Sequence, residues 1–158
     1  MDGIDFRPAT VDDFEFFFQL HKDTLGPYVD QVWGWDDEDQ RAHLRRTIDY
    51  DATQVIIAGD VDIGRLTVER RQHEIYVGLV EIAPCHQGRG IGGQIVRGVL
   101  DDAFADGKSV CLNVLRVNTG AYRLYRRLGF VEVAASEVRF TMVAQPPPAS
   151  PGPQPTPG

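Results

Sequence analysis

The sequence is poor in the residues that staple a chain together, anchor it in lipid or draw it onto nucleic acid. Two cysteines in 158 residues, Cys85 and Cys111, cannot build a disulfide framework and show no metal-ligand spacing, so no metal is expected. Cys111 lies in an apolar run and reads as core; Cys85 stands beside a glycine loop. There is no basic surplus: 16 Lys and Arg face 23 Asp and Glu, a formal net charge of -7, which weighs against a nucleic-acid partner. The same acidic balance is compatible with a cationic acceptor. No apolar run approaches a membrane span, and the opening MDGIDFRPAT has neither a basic n-region nor an apolar h-region. The expectation is a cytoplasmic protein with no membrane partner. No GK[ST] triplet is present, which removes a P-loop.

One segment is extreme in composition. Residues 145–158, QPPPASPGPQPTPG, are dominated by proline and have no apolar periodicity to bury. They read as a disordered or polyproline tail, with a PxxP ligand as the sharper alternative. The expected organisation is one folded domain over 1–144 and a Pro-rich tail over 145–158.

Periodicity divides the domain. Asp5–Pro8 is a short strand, and Thr10 is an N-cap with acidic residues following. Val11, Phe14, Phe17, Phe18 and His21 recur at helical spacing, which predicts a helix to about Thr24, broken by Gly26-Pro27. Tyr28–Asp39 reads as an aromatic and acidic loop, and Gln40–Ile48 as a second helix. Strands follow at 54–58, 63–70 and 75–82, a helix at 90–104, a nearly unbroken apolar strand at 110–117, a helix around Ala121–Leu128 closed by Gly129, and two strands at 130–133 and 138–143. Hairpins with one crossover helix predict a single α/β domain of α+β type: a mixed, mostly antiparallel sheet with helices on both faces.

The segment QGRGIGG at 87–93 joins a strand to a helix. Its glycines let backbone approach a ligand, and the unpaired N–H groups and dipole of the next helix favour a phosphate or pyrophosphate. Arg89 adds a charge-assisted contact. The stretch also fits GxGxxG. It lies late in the chain, however, behind hairpins, and Asn113 and Arg116 stand where a dinucleotide fold places an acidic residue.

Two motifs carry a resemblance. Gln87-Gly88-Arg89-Gly90-Ile91-Gly92 resembles the [QR]-x-x-G-x-[GA] pattern of the GNAT acetyltransferases, and residues 118–130, NTGAYRLYRRLGF, fit the family's N-x-x-A-x-x-L-Y-x-x-L-G-F without departure. The resemblance covers most of the folded chain and leaves out the proline tail. It implies a GNAT-like fold and acetyl-CoA as co-substrate. It implies a cofactor site of Gln87, Gly88, Arg89, Gly90, Ile91, Gly92 and Gly93, with the Ile82 backbone on the pantetheine arm and Asn118 beside it. It implies that Tyr125 protonates the leaving thiolate, a task a phenol suits because it stays protonated at neutral pH.

The acceptor amine must lose a proton before it attacks. Glu81 is the ionisable residue inside the run Val77–Pro84 and is the expected base; Tyr76, Glu74 and His73 are further candidates. Strict alternation puts Glu81 with Ile75, Val77 and Leu79, and Tyr76 with Gly78 and Val80. A bulge, common in this strand of the family, would change that parity. Asn113 could orient a water or the acceptor. Trp33 and Trp35, among acids, offer a cation seat or else plug the core. The function expected is transfer of acetyl from acetyl-CoA to a primary amine of a small molecule or peptide by direct attack. A catalytically silent CoA-binding regulatory module is the alternative. A homodimer stays open.

Overall fold

The computed structural model describes residues 3–148. Seven strands form one sheet in the order β1-β2-β3-β4-β5-β7-β6. β1 (Ile4–Pro8), β2 (Thr53–Ala58), β3 (Val61–Arg70) and β4 (Glu74–Ile82) pair as an antiparallel meander. β5 (Ser109–Leu115) lies parallel to β4, reached through a crossover helix, α4 (Ile91–Ala105). Helix α5 (Thr119–Arg127) then carries the chain to the edge strand β6 (Val131–Ala135), and β7 (Arg139–Ala144) returns between β5 and β6. The sheet is mixed and mostly antiparallel, as expected. The one-crossover expectation is corrected to two, because α5 also carries the chain past one strand position.

The helices divide between the faces. On one side Ile95, Val96 and Leu100 of α4 and Tyr125 of α5 pack on Ile63, Ile75, Val77, Val110, Leu112 and Met142. On the other, α1 (Phe14–Thr24) and α3 (Asp37–Thr47) pack Phe17, Phe18 and Leu44 on Val55. Thr10 and Asp13 close a capping box before α1, and Asp13 takes both ends of the Arg7 guanidinium at 3.0 and 2.8 Å.

The loop expected over Tyr28–Asp39 is largely helical: α2 spans Gly26–Trp33. Gly26-Pro27 ends one helix and starts the next, because Pro27 stands in the first turn, where its missing N–H costs nothing. α3 begins earlier than expected, with Asp36 as N-cap accepting from the Asp39 N–H at 2.9 Å. Of the tail, residues 145–148 continue without regular structure and 149–158 lie outside the described residues.

One irregularity positions everything that follows. Along β4 the register against β3 runs Thr67↔Leu79 and then Val68↔Val77, so Gly78 is an extra residue. Pairing of β4 with β5 runs from Glu74↔Ser109 to Val77↔Leu112 and stops there. Beyond the bulge the two parallel strands part.

Candidate active site

The parting of β4 and β5 opens into a cleft of about 1000 Å³ that also runs along α3 and the 47–49 segment. Residues 76–80 form one of its walls and 112–115 the other, with Asn118, Ala121 and Tyr125 of the α5 segment at one end and His21, Val29 and Trp33 of α1 and α2 at the other. A β4 edge no longer paired with β5 offers N–H and C=O groups to an extended ligand, as an added strand would.

The glycine loop sits where β4 gives way to α4. Gly88 and Gly90 have φ of 79° and 77°, in the left-handed region that glycine enters at little cost, and Gly90 is the N-cap of α4. A Cβ built on either meets nothing within 4 Å, so the loop's outer surface is open. Gly93 is small for the opposite reason: a Cβ there would stand 3.3 Å from Leu124, whereas one on Gly92 would make only an ordinary 3.9 Å contact with Ile82. The Gln87 side chain donates to the Ile82 carbonyl at 2.9 Å and ties the loop to the end of β4. Arg89 is exposed and Ile91 packs against the core. The open first turn of a 15-residue helix, framed by glycine and one arginine, fits a diphosphate.

Asn118 Oδ1 accepts from the Ala121 N–H at 3.2 Å and caps α5, fixing the amide beside the cleft. Tyr125 is 9% exposed, its ring edge-on to Phe130 at 5.7 Å. Burial pushes its phenol up to about 12, so it enters the cleft protonated. On the cleft's other wall, Asn113 donates to the Tyr76 hydroxyl at 3.2 Å and accepts from Thr141 at 2.7 Å, a polar chain across β4, β5 and β7.

Glu81 requires a correction. The bulge at Gly78 shifts parity: Ile75 and Val77 share the α4 face with Val80 and Ile82, while Glu81 joins Tyr76 on the α1 face. There it is 2% exposed and does not line the cleft. Arg65, opposite it on β3, donates Nε–H to Oε1 at 2.7 Å. His21 Nδ1 lies 2.7 Å from Oε2, and the Thr24 hydroxyl 3.0 Å from the same oxygen. Burial alone would raise the carboxyl pKa, but the Arg65 charge and the His21 contact override it and hold Glu81 below the ordinary carboxylate range. An ionised carboxylate saturated in this way is a poor acceptor for a further proton. Glu81 thus stands behind the cleft and not on it; the ionisable side chains that line the cleft include Tyr76, Asp39, His43 and His21, the last with a side chain 21% exposed and in contact with Glu81.

The two tryptophans separate. Trp33 is 54% exposed at the cleft, with the Arg139 guanidinium 5.2 Å over its ring. Trp35 packs instead against Phe18 and His21 at 6.2 and 6.0 Å and donates to Asp37, so it backs the His21 ring and does not line the cleft. His73 and Glu74 stand at the far start of β4, where Glu74 pairs with Arg71 at 2.7 Å. Cys111 is buried and its thiol pushed up to about 11, which removes it as a nucleophile. Sequence reasoning gave no role to Arg65 or Thr24 and read His21 only as part of a helical stripe. The available signal was an arginine in the apolar run IGRLTV facing a glutamate in LVEIA across a hairpin.

Comparison with known proteins completes the picture. The sequence profile of the acetyltransferase (GNAT) family matches residues 12–130. The N-alpha-acetyltransferase RimI of Mycobacterium tuberculosis is 43% identical over 60 residues, covering 38% of this chain and 37% of that protein, so the alignment spans little more than a third of the relative. The PaiA N-acetyltransferase of Thermoplasma acidophilum, solved with coenzyme A, superposes with a TM-score of 0.73 at 14% identity over 90% of this chain and 98% of that one. The ribosomal-protein-S18-alanine N-acetyltransferase of Escherichia coli does so with a TM-score of 0.67 at 14% identity, over 94% and 97%. At such identity these two structures speak to the fold. Among the described residues no group of His, Cys, Asp and Glu is placed to hold a metal ion, and no helix is long and apolar enough to cross a membrane.

Proposed function

The chain belongs to the acetyltransferase (GNAT) family, and from that premise we propose that it moves the acetyl group of acetyl-CoA directly onto the α-amine of a peptide or protein N-terminus. The observation that carries this reading is the cleft between β4 and β5, with a protonated, buried phenol on its wall and a β4 edge that runs on into an open glycine turn. The diphosphate lies on the first turn of α4, over Gly88, Gly90 and Arg89. The pantetheine arm runs along the freed edge of β4 past Ile82. Asn118 steadies the arm, and Tyr125 gives its proton to the departing thiolate. The peptide enters from the α1–α2 side, over Trp33, Tyr76 and Asn113. The choice of an α-amine rests on the relative of higher identity, the RimI protein, which is an N-alpha-acetyltransferase.

The test has two steps. Melting temperature is first measured with acetyl-CoA, NAD and ATP in separate samples. Acetyl-CoA alone should raise it, a ligand at 100 times its Kd contributing about 2.7 kcal/mol. Thiol release is then followed with a panel of peptides of free N-terminus and with the same peptides N-acetylated. Release with the free panel only supports the α-amine. Stabilisation by acetyl-CoA with no release from any amine identifies a silent CoA-binding module instead, and stabilisation by NAD alone removes the reading.

A further inference from the structure

The geometry points to His21 as the base that takes the proton from the acceptor amine, with Glu81 as the residue that positions it. This rests on the acetyl-transfer reading above. Glu81 is ionised and therefore only accepts, so the 2.7 Å contact with His21 fixes the proton on Nδ1. Nε2 then carries a lone pair, and His21 is a wall of the cleft. Arg65 Nη2 lies 3.4 Å from Nδ1, too far to compete with Glu81 for it. The Trp35 ring packs beside it, tilted by 40° at 6.0 Å, and restricts its movement. A carboxylate behind a histidine that faces a substrate cleft is the arrangement by which other enzymes hold one tautomer and stabilise the imidazolium.

The groups around His21 come from every packed element. Glu81 of β4 and Arg65 of β3 touch it. Lys22 and Asp37 pair with each other at 3.0 Å beside Trp35. Asp39, His43 and Arg46 of α3 contribute to the cleft wall. Glu81 faces both Arg65 and the His21 ring, so the carboxylate that orients the imidazole is itself held in place by the guanidinium.

The proton balance is as follows. The ammonium gives one proton to His21 Nε2. The free amine forms the C–N bond, the C–S bond breaks, and the thiolate takes a proton from Tyr125. The second proton of the attacking nitrogen passes through solvent to restore Tyr125, and His21 releases its own to water, one proton per turnover.

The experiment uses the whole chain, a free-N-terminus peptide that releases thiol in the wild type, and a direct view of the ring. Long-range proton–nitrogen NMR on uniformly labelled protein should report His21 as the Nδ1–H tautomer. His21→Gln should lower kcat by about 100-fold or more while leaving KM for acetyl-CoA within about twofold. The acid-side limb of the kcat profile should disappear in this variant and be replaced by a rise toward the pKa of the amine. Added imidazole should rescue His21→Ala. An Nε2–H tautomer overturns the proposal whether or not an acceptor has been found. So does a His21→Gln enzyme that keeps its rate and its pH limb. A wild type that binds acetyl-CoA yet turns over no peptide sinks the acetyl-transfer reading, and the tautomer measurement still judges the ring.

Discussion

The buried pair of Arg65 and Glu81 can be tested by itself. Their side chains are 5% and 1% exposed, and they meet at 2.7 Å. Glu81→Gln keeps the shape but leaves a buried guanidinium without its counter-charge. Removing one partner of such a pair costs about 3–5 kcal/mol. For a chain of this size about 2–4 °C accompanies each kcal/mol, so Tm should fall by about 6–20 °C. Replacing both residues by apolar ones, Arg65→Met with Glu81→Leu, removes the stranded charge and should recover most of the loss, so the double variant should melt above Glu81→Leu alone. The pH dependence has a definite sign. The folded carboxyl sits below its unfolded value, so its contribution is complete above about pH 4.3 and is lost as pH falls through the depressed folded pKa. The stability gap between wild type and Glu81→Gln, read by urea unfolding at pH 7, 5 and 3.5, should therefore be level at first and then narrow. A gap under about 1 kcal/mol at pH 7, or one that widens on acidification, would refute the claim that Glu81 is ionised and paired.

Two other substitutions probe the same frame. Tyr125→Phe should lower kcat by about 100-fold or more with acetyl-CoA stabilisation unchanged in thermal-shift assays, because only the hydroxyl is lost from a ring held by Phe130. Gly64→Ala should cost about 2–4 kcal/mol in denaturant unfolding, because its Cβ would come within 2.1 Å of the Glu81 carbonyl oxygen and force β3 from β4.

Much of this was legible where the signal is local. Four glycines before an apolar helical stripe mark the turn and α4, and NTGAYRLYRRLGF marks α5 with its cap and its tyrosine. The β2–β3 and β3–β4 hairpins followed from the short turns at 59–60 and 71–73, whereas the seating of β7 between β5 and β6 did not. What failed was non-local or ambiguous. Gly26-Pro27 ends a helix as readily as it begins one, and here it does both, with Pro27 in the first turn of α2. His21 falls on an apolar stripe beside Phe17 and Phe18, where periodicity assigns it to the core; its partner Glu81 lies 60 residues away. The parity of β4 could not be read, since an extra residue leaves no mark on composition.

That extra residue explains why a buried carboxylate serves a cleft it does not touch. With an unbroken β4, Glu81 would share the face of Ile75 and Val77, whose neighbours from α4 are Ile95, Val96 and Leu100, and no cation would meet it there. The bulge at Gly78 turns the second half of the strand over, so that Glu81 meets Arg65 and His21. The same bulge marks where the β4–β5 ladder ends and the cleft begins. Opening the cleft and placing the charge behind its histidine are therefore one structural event. A glycine suits that position because it leaves least side chain in the mouth: a Cβ on Gly78 would stand 3.5 Å from both the Thr67 methyl and the Tyr76 ring, in ordinary contact and without clash. Substitution by alanine is tolerable to the fold, then, whereas deletion of residue 78 would remove the bulge, let β4 re-pair with β5 and close the cleft, while plain alternation keeps Glu81 on the α1 face with Tyr76, so that acetyl transfer should be lost with the Glu81–Arg65 pair, read as thermal stability, retained.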